Sequence, residues 1–151
     1  MTVSCYLVSA CLLGINCRYD GGNNLHPQII KLVERRIFIP VCPEQLGGLP
    51  TPRPPAEIQG GDGYLVLTGK AAVVNIEGAD VTGYFIRGAE QTLKLARIYR
   101  ARGAFLKARS PSCGASQIYG GGFRKQLIEG CGVTAALLKS HGLELINEPD
   151  G

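Results

Sequence analysis

A chain of 151 residues, 45% hydrophobic and 19% charged, has the size and composition of one ordinary globular domain, which excludes disordered and fibrous classes. Its net charge of +4 is too small to argue for duplex nucleic acid, though a weakly basic face suits a small anionic substrate. No run approaches the roughly 20 apolar residues of a membrane span, and the first ten residues lack the basic leader and apolar length of a signal peptide. We therefore expect a single cytoplasmic domain over residues 1–151. In that compartment cysteines more often bind metal or do chemistry than form disulfides.

Residues 5–10 are a short continuous apolar run, the pattern of a central parallel strand. A loop rich in polar and special-dihedral residues follows, over 11–22. Pro27, a favoured first helical residue, opens a helix through Arg36 with Ile30, Leu32 and Val33 as its inner face. Residues 37–41 make the second strand, and Pro40 must sit there where no ladder donor is needed. The next fourteen residues, 42–55, carry five prolines and two glycines, which stiffen the loop into one path. Residues 56–75 read as a small β excursion, with 64–67 and 72–74 as strands and turns at 60–63 and 68–69. Asp80 is placed to cap the longest helix, in which Val81, Phe85, Ala89, Leu93 and Ala96 recur at helical spacing. Gly103 ends it. Residues 104–108 are the third strand. After Gly120-Gly121-Gly122, a last helix covers 133–141 and a final edge strand covers 143–146. This alternation predicts an α/β, Rossmann-like fold: an open, mainly parallel sheet with flanking helices.

Three cysteines stand just past three of these strands: Cys11, Cys42, and Cys113 within Ser110-Pro111-Ser112-Cys113-Gly114. In an open α/β sheet those carboxyl ends face one crevice, where ligands bind. The sequence has no Cys-x-x-Cys, which argues against a thioredoxin motif, a zinc ribbon or a bacterial ferredoxin. No cysteine has the arginine six residues on that a phosphatase-type loop needs. We expect the three thiols to meet and hold an iron–sulfur cluster. The alternative is that they are small buried core residues, as Cys5 is within its strand. Cys17 and Cys131, both in loops, are read as structural.

A cubane cluster normally takes four cysteines, so three would leave one iron without a protein ligand. That iron would be a Lewis acid able to take a substrate's thio group and accept the departing sulfide, with no electron transferred. The chemistry also requires a group that activates water and one that relays a proton. Glu44, two residues after Cys42, and Ser110, three before Cys113, are the candidates. The bland alternatives are a loop-capping carboxylate and a turn hydroxyl bonding its own backbone. Arg18, Arg53 and Lys107 are candidates to meet a nucleotide phosphate, or else surface and ion-paired residues.

The segments Leu7-Val8-Ser9-Ala10-Cys11-Leu12-Leu13-Gly14, Cys17-Arg18-Tyr19-Asp20-Gly21, Val41-Cys42-Pro43-Glu44, Gly47-Gly48-Leu49-Pro50-Thr51-Pro52-Arg53, Ser110-Pro111-Ser112-Cys113-Gly114 and Gly132-Val133-Thr134-Ala135-Ala136-Leu137-Leu138 run nearly end to end. Together they resemble the bacterial DUF523 family, which includes the thiouracil desulfurases. The resemblance implies an oxygen-sensitive [4Fe-4S] cluster on Cys11, Cys42 and Cys113, with Glu44 and Ser110 as catalytic residues. It also implies removal of sulfur from thiolated uracil or its nucleotides, with release of hydrogen sulfide. The expected partner is thus a small thiolated pyrimidine, base or nucleotide, with no membrane and no duplex nucleic acid. The rival function is a non-catalytic module, in which the same cysteines hold a cluster or zinc to sense oxygen or metal, or to carry sulfur.

Overall fold

The computed structural model describes residues 4–148; residues 1–3 and 149–151 of the expected single domain lie outside them. In chain order the elements are β1 (Cys5–Ser9), α1 (Pro27–Val33), β2 (Ile37–Val41), α2 (Pro43–Leu46), β3 (Ala56–Gln59), α3 (Gly63–Leu67), β4 (Ala72–Asn75), α4 (Thr82–Ile98), β5 (Gly103–Leu106), β6 (Gln117–Tyr119), β7 (Leu127–Glu129), α5 (Val133–Ser140) and β8 (Glu144–Asn147), with a 3-10 turn at Ala10–Leu13. The main sheet has the order β2-β1-β5-β8, every pair parallel. This is the α/β architecture expected.

Alternate side chains of the strands face opposite layers. Leu7, Ala104 and Leu106 pack with Leu93 and Ala96 of α4 and Leu138 of α5. Tyr6, Val8 and Phe105 pack with Ile29 of α1 and Leu12. Covering both faces is what makes β1 and β5 read as continuous apolar runs. Pro40 lies on β2, an edge strand, where its missing N–H costs no ladder bond. A second core joins Ile58 of β3, Val66 of α3, Val73 of β4, Phe85 of α4, Ile118 of β6 and Val133 of α5.

Several local expectations are corrected. Residues 64–67 form α3 rather than a strand. A short apolar run does not separate the two by periodicity; Asp62 decides it, its carboxylate accepting from the backbone N–H groups of Tyr64 and Leu65 at 3.1 and 3.3 Å. The β excursion is instead β3 against β4, antiparallel. Asp80 does accept from the Thr82 N–H at 2.9 Å, but Val81 occupies the N-cap seat. Gly103 does not end α4: the helix stops at Ile98, Arg100 takes the left-handed turn with φ 52°, and Gly103 begins β5. In α1 the buried residue is Ile29, while Ile30 and Val33 are exposed. That helix ends at Val33 and the third strand at Leu106, both earlier than expected. The stiff 42–55 loop contains α2, and the antiparallel hairpin β6–β7 had no counterpart in the sequence reading.

One close approach positions the site. Helix α2 lies directly on α4 because its C-cap, Gly47, and Gly88 of α4 are glycines where the two meet. A Cβ on Gly88 would fall 2.0 Å from the Pro43 carbonyl oxygen, and one on Gly47 would fall 2.0 Å from that of Tyr84. Gly88→Ala gains about 1 kcal/mol of helix propensity. Overpacking costs about 1–3 kcal/mol, and here the obstacle is backbone, which cannot rotate away. The clash therefore wins. The variant is expected to melt several degrees lower, at about 2–4 °C per kcal/mol for a chain of this size, and calorimetry against the parent checks it.

Candidate active site

The sheet order puts the chain's change of direction between β1 and β5, since β2 lies on one side of β1 and β5 on the other. Open α/β sheets form their ligand crevice at such a switch point, outside the carboxyl ends of the strands. Here that crevice is a cavity of about 660 Å³, and Cys11, Cys42, Cys113, Glu44 and Ser110 all line it. The five candidates are thus brought together.

Each thiol is fixed by local structure. Cys11 sits in the 3-10 turn that follows β1, closed by the Gly14 N–H donating to the Cys11 carbonyl at 3.1 Å. Cys42 occupies the N-cap seat of α2, with Pro43 as first helical residue. Cys113 is held from below by α5. The first N–H groups of a helix lack partners of their own. Here Gly132 N–H donates to the Gly114 carbonyl, Val133 N–H to that of Pro111 and Ala135 N–H to that of Ser112, at 2.8, 2.8 and 3.0 Å. The buried Ser112 and Thr134 hydroxyls bond at 2.8 Å and complete the lock.

Ser110 does what the bland alternative required and keeps more in reserve. Its oxygen accepts from the N–H groups of Ser112 and Cys113 at 3.0 and 3.1 Å. Two amide donors on the oxygen leave its own proton free to be given, and polarise the O–H bond. Glu44 is paired with Arg53 at 3.4 Å, with side-chain exposures of 18% and 6%. Arg53 also donates to the carbonyls of Cys17 and Pro50 and to the Thr51 hydroxyl, at 3.0, 3.2 and 3.0 Å. Its guanidinium is engaged inside the protein, where it holds Glu44 from the cavity wall. Arg18 bonds Asn24 at 2.6 Å and pairs with Asp20 at 3.3 Å, and Lys107 pairs with Glu148 at 2.7 Å.

The sulfurs are not equivalent. Cys11 is pulled down to about 7, chiefly by a hydrogen bond from Cys17 and against the cost of burial. Cys42 is also lowered, again first by Cys17. Cys17 itself is pushed far up, because its proton serves the other two. Burial pushes Cys113 up, and the charge of Glu44 adds to that. A buried thiol of this kind needs a cation to become a ligand, and a bound metal deprotonates it outright. Soft thiolates without imidazole suit iron–sulfur clusters. Among the described residues, no three or more His, Cys, Asp or Glu gather as around a single metal ion. A cubane, by contrast, takes each thiol on a different iron. The donor set fits the cluster.

Sequence reasoning missed two contributors. Cys17, read as structural, lines the cavity, whereas Cys131 lies outside it, bonded to the Ala115 carbonyl and Lys139. The hairpin β6–β7 brings Tyr119 and Phe123 to the cavity wall. Its signal was the Gly120-Gly121-Gly122 turn between two short apolar stretches.

The model of the 2-thiouracil desulfurase family matches residues 6–150. The chain belongs to that family. Among its relatives, the uncharacterized protein YbbK of Bacillus subtilis (strain 168) is 49% identical over 142 residues, 94% of each chain. The solved structure of the [4Fe-4S]-dependent thiouracil desulfidase TudS is 44% identical. It superposes with a TM-score of 0.83 over 96% of this chain and 91% of that one. No helix among the described residues is long and apolar enough to cross a membrane.

Proposed function

We propose that the protein is an iron–sulfur-dependent desulfurase that removes sulfur from a thiolated uracil as hydrogen sulfide, with Cys11, Cys42 and Cys113 holding a [4Fe-4S] cluster. The observation that carries this reading is that three strand-end thiols line one cavity together with Glu44 and Ser110. Family membership and the TudS likeness support the substrate class and the cofactor. The reaction exchanges sulfur for oxygen: a thiocarbonyl and water give a carbonyl and hydrogen sulfide, with no net oxidation. When bound, the cluster supplies one iron free of protein ligands, a Lewis acid for sulfur.

The remaining work falls to the chain. Glu44, steadied by Arg53, takes a proton from water and directs the oxygen at the carbon that bears sulfur. Ser110 gives its proton to the pyrimidine ring or takes one from it, its oxygen stabilised by the two amides already on it. Tyr119, Phe123 and Phe85 on the wall keep water from the rest of the cavity and offer flat apolar surface to a planar base. Six unpaired cysteines and an oxygen-sensitive cofactor suit a reducing cytoplasm.

Anaerobic loading with iron and sulfide, followed by assay on thiolated uracil as base, nucleoside and nucleotide, tests the reading. Sulfide release is expected from the parent. Ser110→Ala is expected to keep its iron yet lose about 10²–10⁴ of the rate, the usual worth of a positioned proton donor. A fully loaded parent that releases no sulfide from any of the three would overturn the assignment.

A further inference from the structure

The loop joining β6 to β7 forms part of the cavity wall, yet its own main chain does little to hold it. The Gly120 N–H donates to the Gln126 carbonyl at 2.9 Å and closes the neck. Beyond that neck the grip comes from side chains of β3. Glu57 Oε1 accepts from the N–H groups of Gly121 and Phe123 at 2.9 and 3.2 Å. Gln59 Nε2 donates to the Gly121 carbonyl at 3.0 Å. Glu57 and Gln59 are alternate residues of one strand and so project from the same face, engaging both polar groups of Gly121. That glycine is buried with φ 94°, and a Cβ on it would fall 2.5 Å from the Ile58 carbonyl oxygen. The loop therefore lies flat on β3, between the two grips.

Two further features tie this clamp to the cavity. Phe123 and Lys125 line the cavity, whereas Gly122, Arg124 and Gln126 line a second hollow of about 190 Å³, and Glu57 lines both. The loop is thus a wall one chain thick, with the Glu57 carboxylate at its base. Phe123 has φ 54° and Lys125 φ 58°, in the left-handed region that bulky side chains avoid. Such conformations persist only where the surrounding structure imposes them, and they collect at ligand clamps. Here the bond from the Phe123 N–H to Glu57 imposes one of them.

We propose that Glu57, assisted by Gln59, is a positioning residue for the substrate: it clamps the 120–126 loop so that Phe123 stands as a fixed wall for the thiolated base. This rests on the desulfurase reading above. Glu57 acts as an acceptor of main-chain hydrogen bonds, and its charge takes no part in the chemistry. A wall fixed beforehand strengthens binding because the loop has no freedom left to lose when the base arrives. The clamp therefore acts on substrate affinity, and the proton transfers stay with Glu44 and Ser110.

The test compares parent, Glu57→Ala, Glu57→Gln and Gln59→Ala, all loaded anaerobically with iron and sulfide. Glutamine keeps an acceptor oxygen at the same reach, and alanine removes it. Gln59→Ala removes the lesser grip and is carried in case Glu57→Ala does not fold. Trypsin cuts after the exposed Arg124 and Lys125, so cleavage at this loop, followed by mass spectrometry, reads the clamp without reference to activity. It is expected about tenfold faster in Glu57→Ala, less so in Gln59→Ala, and near the parent's rate in Glu57→Gln. Kinetics use the thiolated uracil that the parent turns over best. In Glu57→Ala, KM is expected to rise about 10–100-fold with kcat and iron content nearly unchanged, and glutamine is expected to recover most of that loss. Unchanged cleavage in both alanine variants would overturn the proposal. So would a glutamine variant as impaired as alanine, since the charge would then be what matters. A loaded parent that releases no sulfide would instead sink the desulfurase reading, and the substrate role with it, whatever trypsin shows of the clamp.

Discussion

Cys42→Ser is expected to yield a folded protein that binds almost no iron after anaerobic loading, against about four irons per chain in the parent. Desulfuration should be lost with it. The thiol sits at the N-cap of α2, half-buried and on the cavity wall, and serine is among the best N-cap residues. The substitution should therefore preserve the helix start while removing the soft ligand, and thermal unfolding of the apo forms should nearly coincide. Cys113→Ser should fail to load in the same way. It carries an added stability cost of about 1–3 kcal/mol if its buried hydroxyl finds no partner, since Cys113 is packed in the core with Leu106 and Leu138. If Cys42→Ser retained the full complement of iron, the proposed ligand set would be wrong.

Glu44→Gln is expected to give the second-largest effect: a loss of about 10²–10⁴ in kcat with iron content unchanged, the range for a general base. The amide keeps the shape of the side chain and removes its ability to take a proton from water. Stability also has to be weighed. Breaking one side of a buried ion pair can cost about 3–5 kcal/mol, but the orphaned Arg53 retains the Cys17 and Pro50 carbonyls and the Thr51 hydroxyl. Glu44 is also partly exposed. The stability change should therefore fall well below that figure, and kinetics at a temperature where both proteins are folded isolates the catalytic term. Equal rates with full iron would remove Glu44 from the mechanism.

How much of this was legible beforehand follows from the range of the interactions involved. The apolar runs that precede Cys11, Cys42 and the Cys113 loop were readable because burying both faces of a central strand leaves a continuous local signature. So was the alternation of strand and helix that made the sheet parallel. The ambiguous run 64–67 was not, because a short helix and a short strand look alike until the Asp62 cap and the packing of Val66 choose between them. Nor was the grip of Arg53 on Glu44, nine residues apart and joined only when the proline loop folds back.

The residues alone determined which atoms were available: six thiols without disulfide spacing, a carboxylate and a hydroxyl each a few positions from one of them, and strand ends to carry them. Only the tertiary structure decided which thiols meet. Cys17 and Cys131 are both loop cysteines, yet the fold sends one to the cavity and the other to Lys139. The reason is that strand order is set by the packing of α4 and α5 against the sheet and the second core. Those contacts lie far apart in sequence, and no local pattern records them.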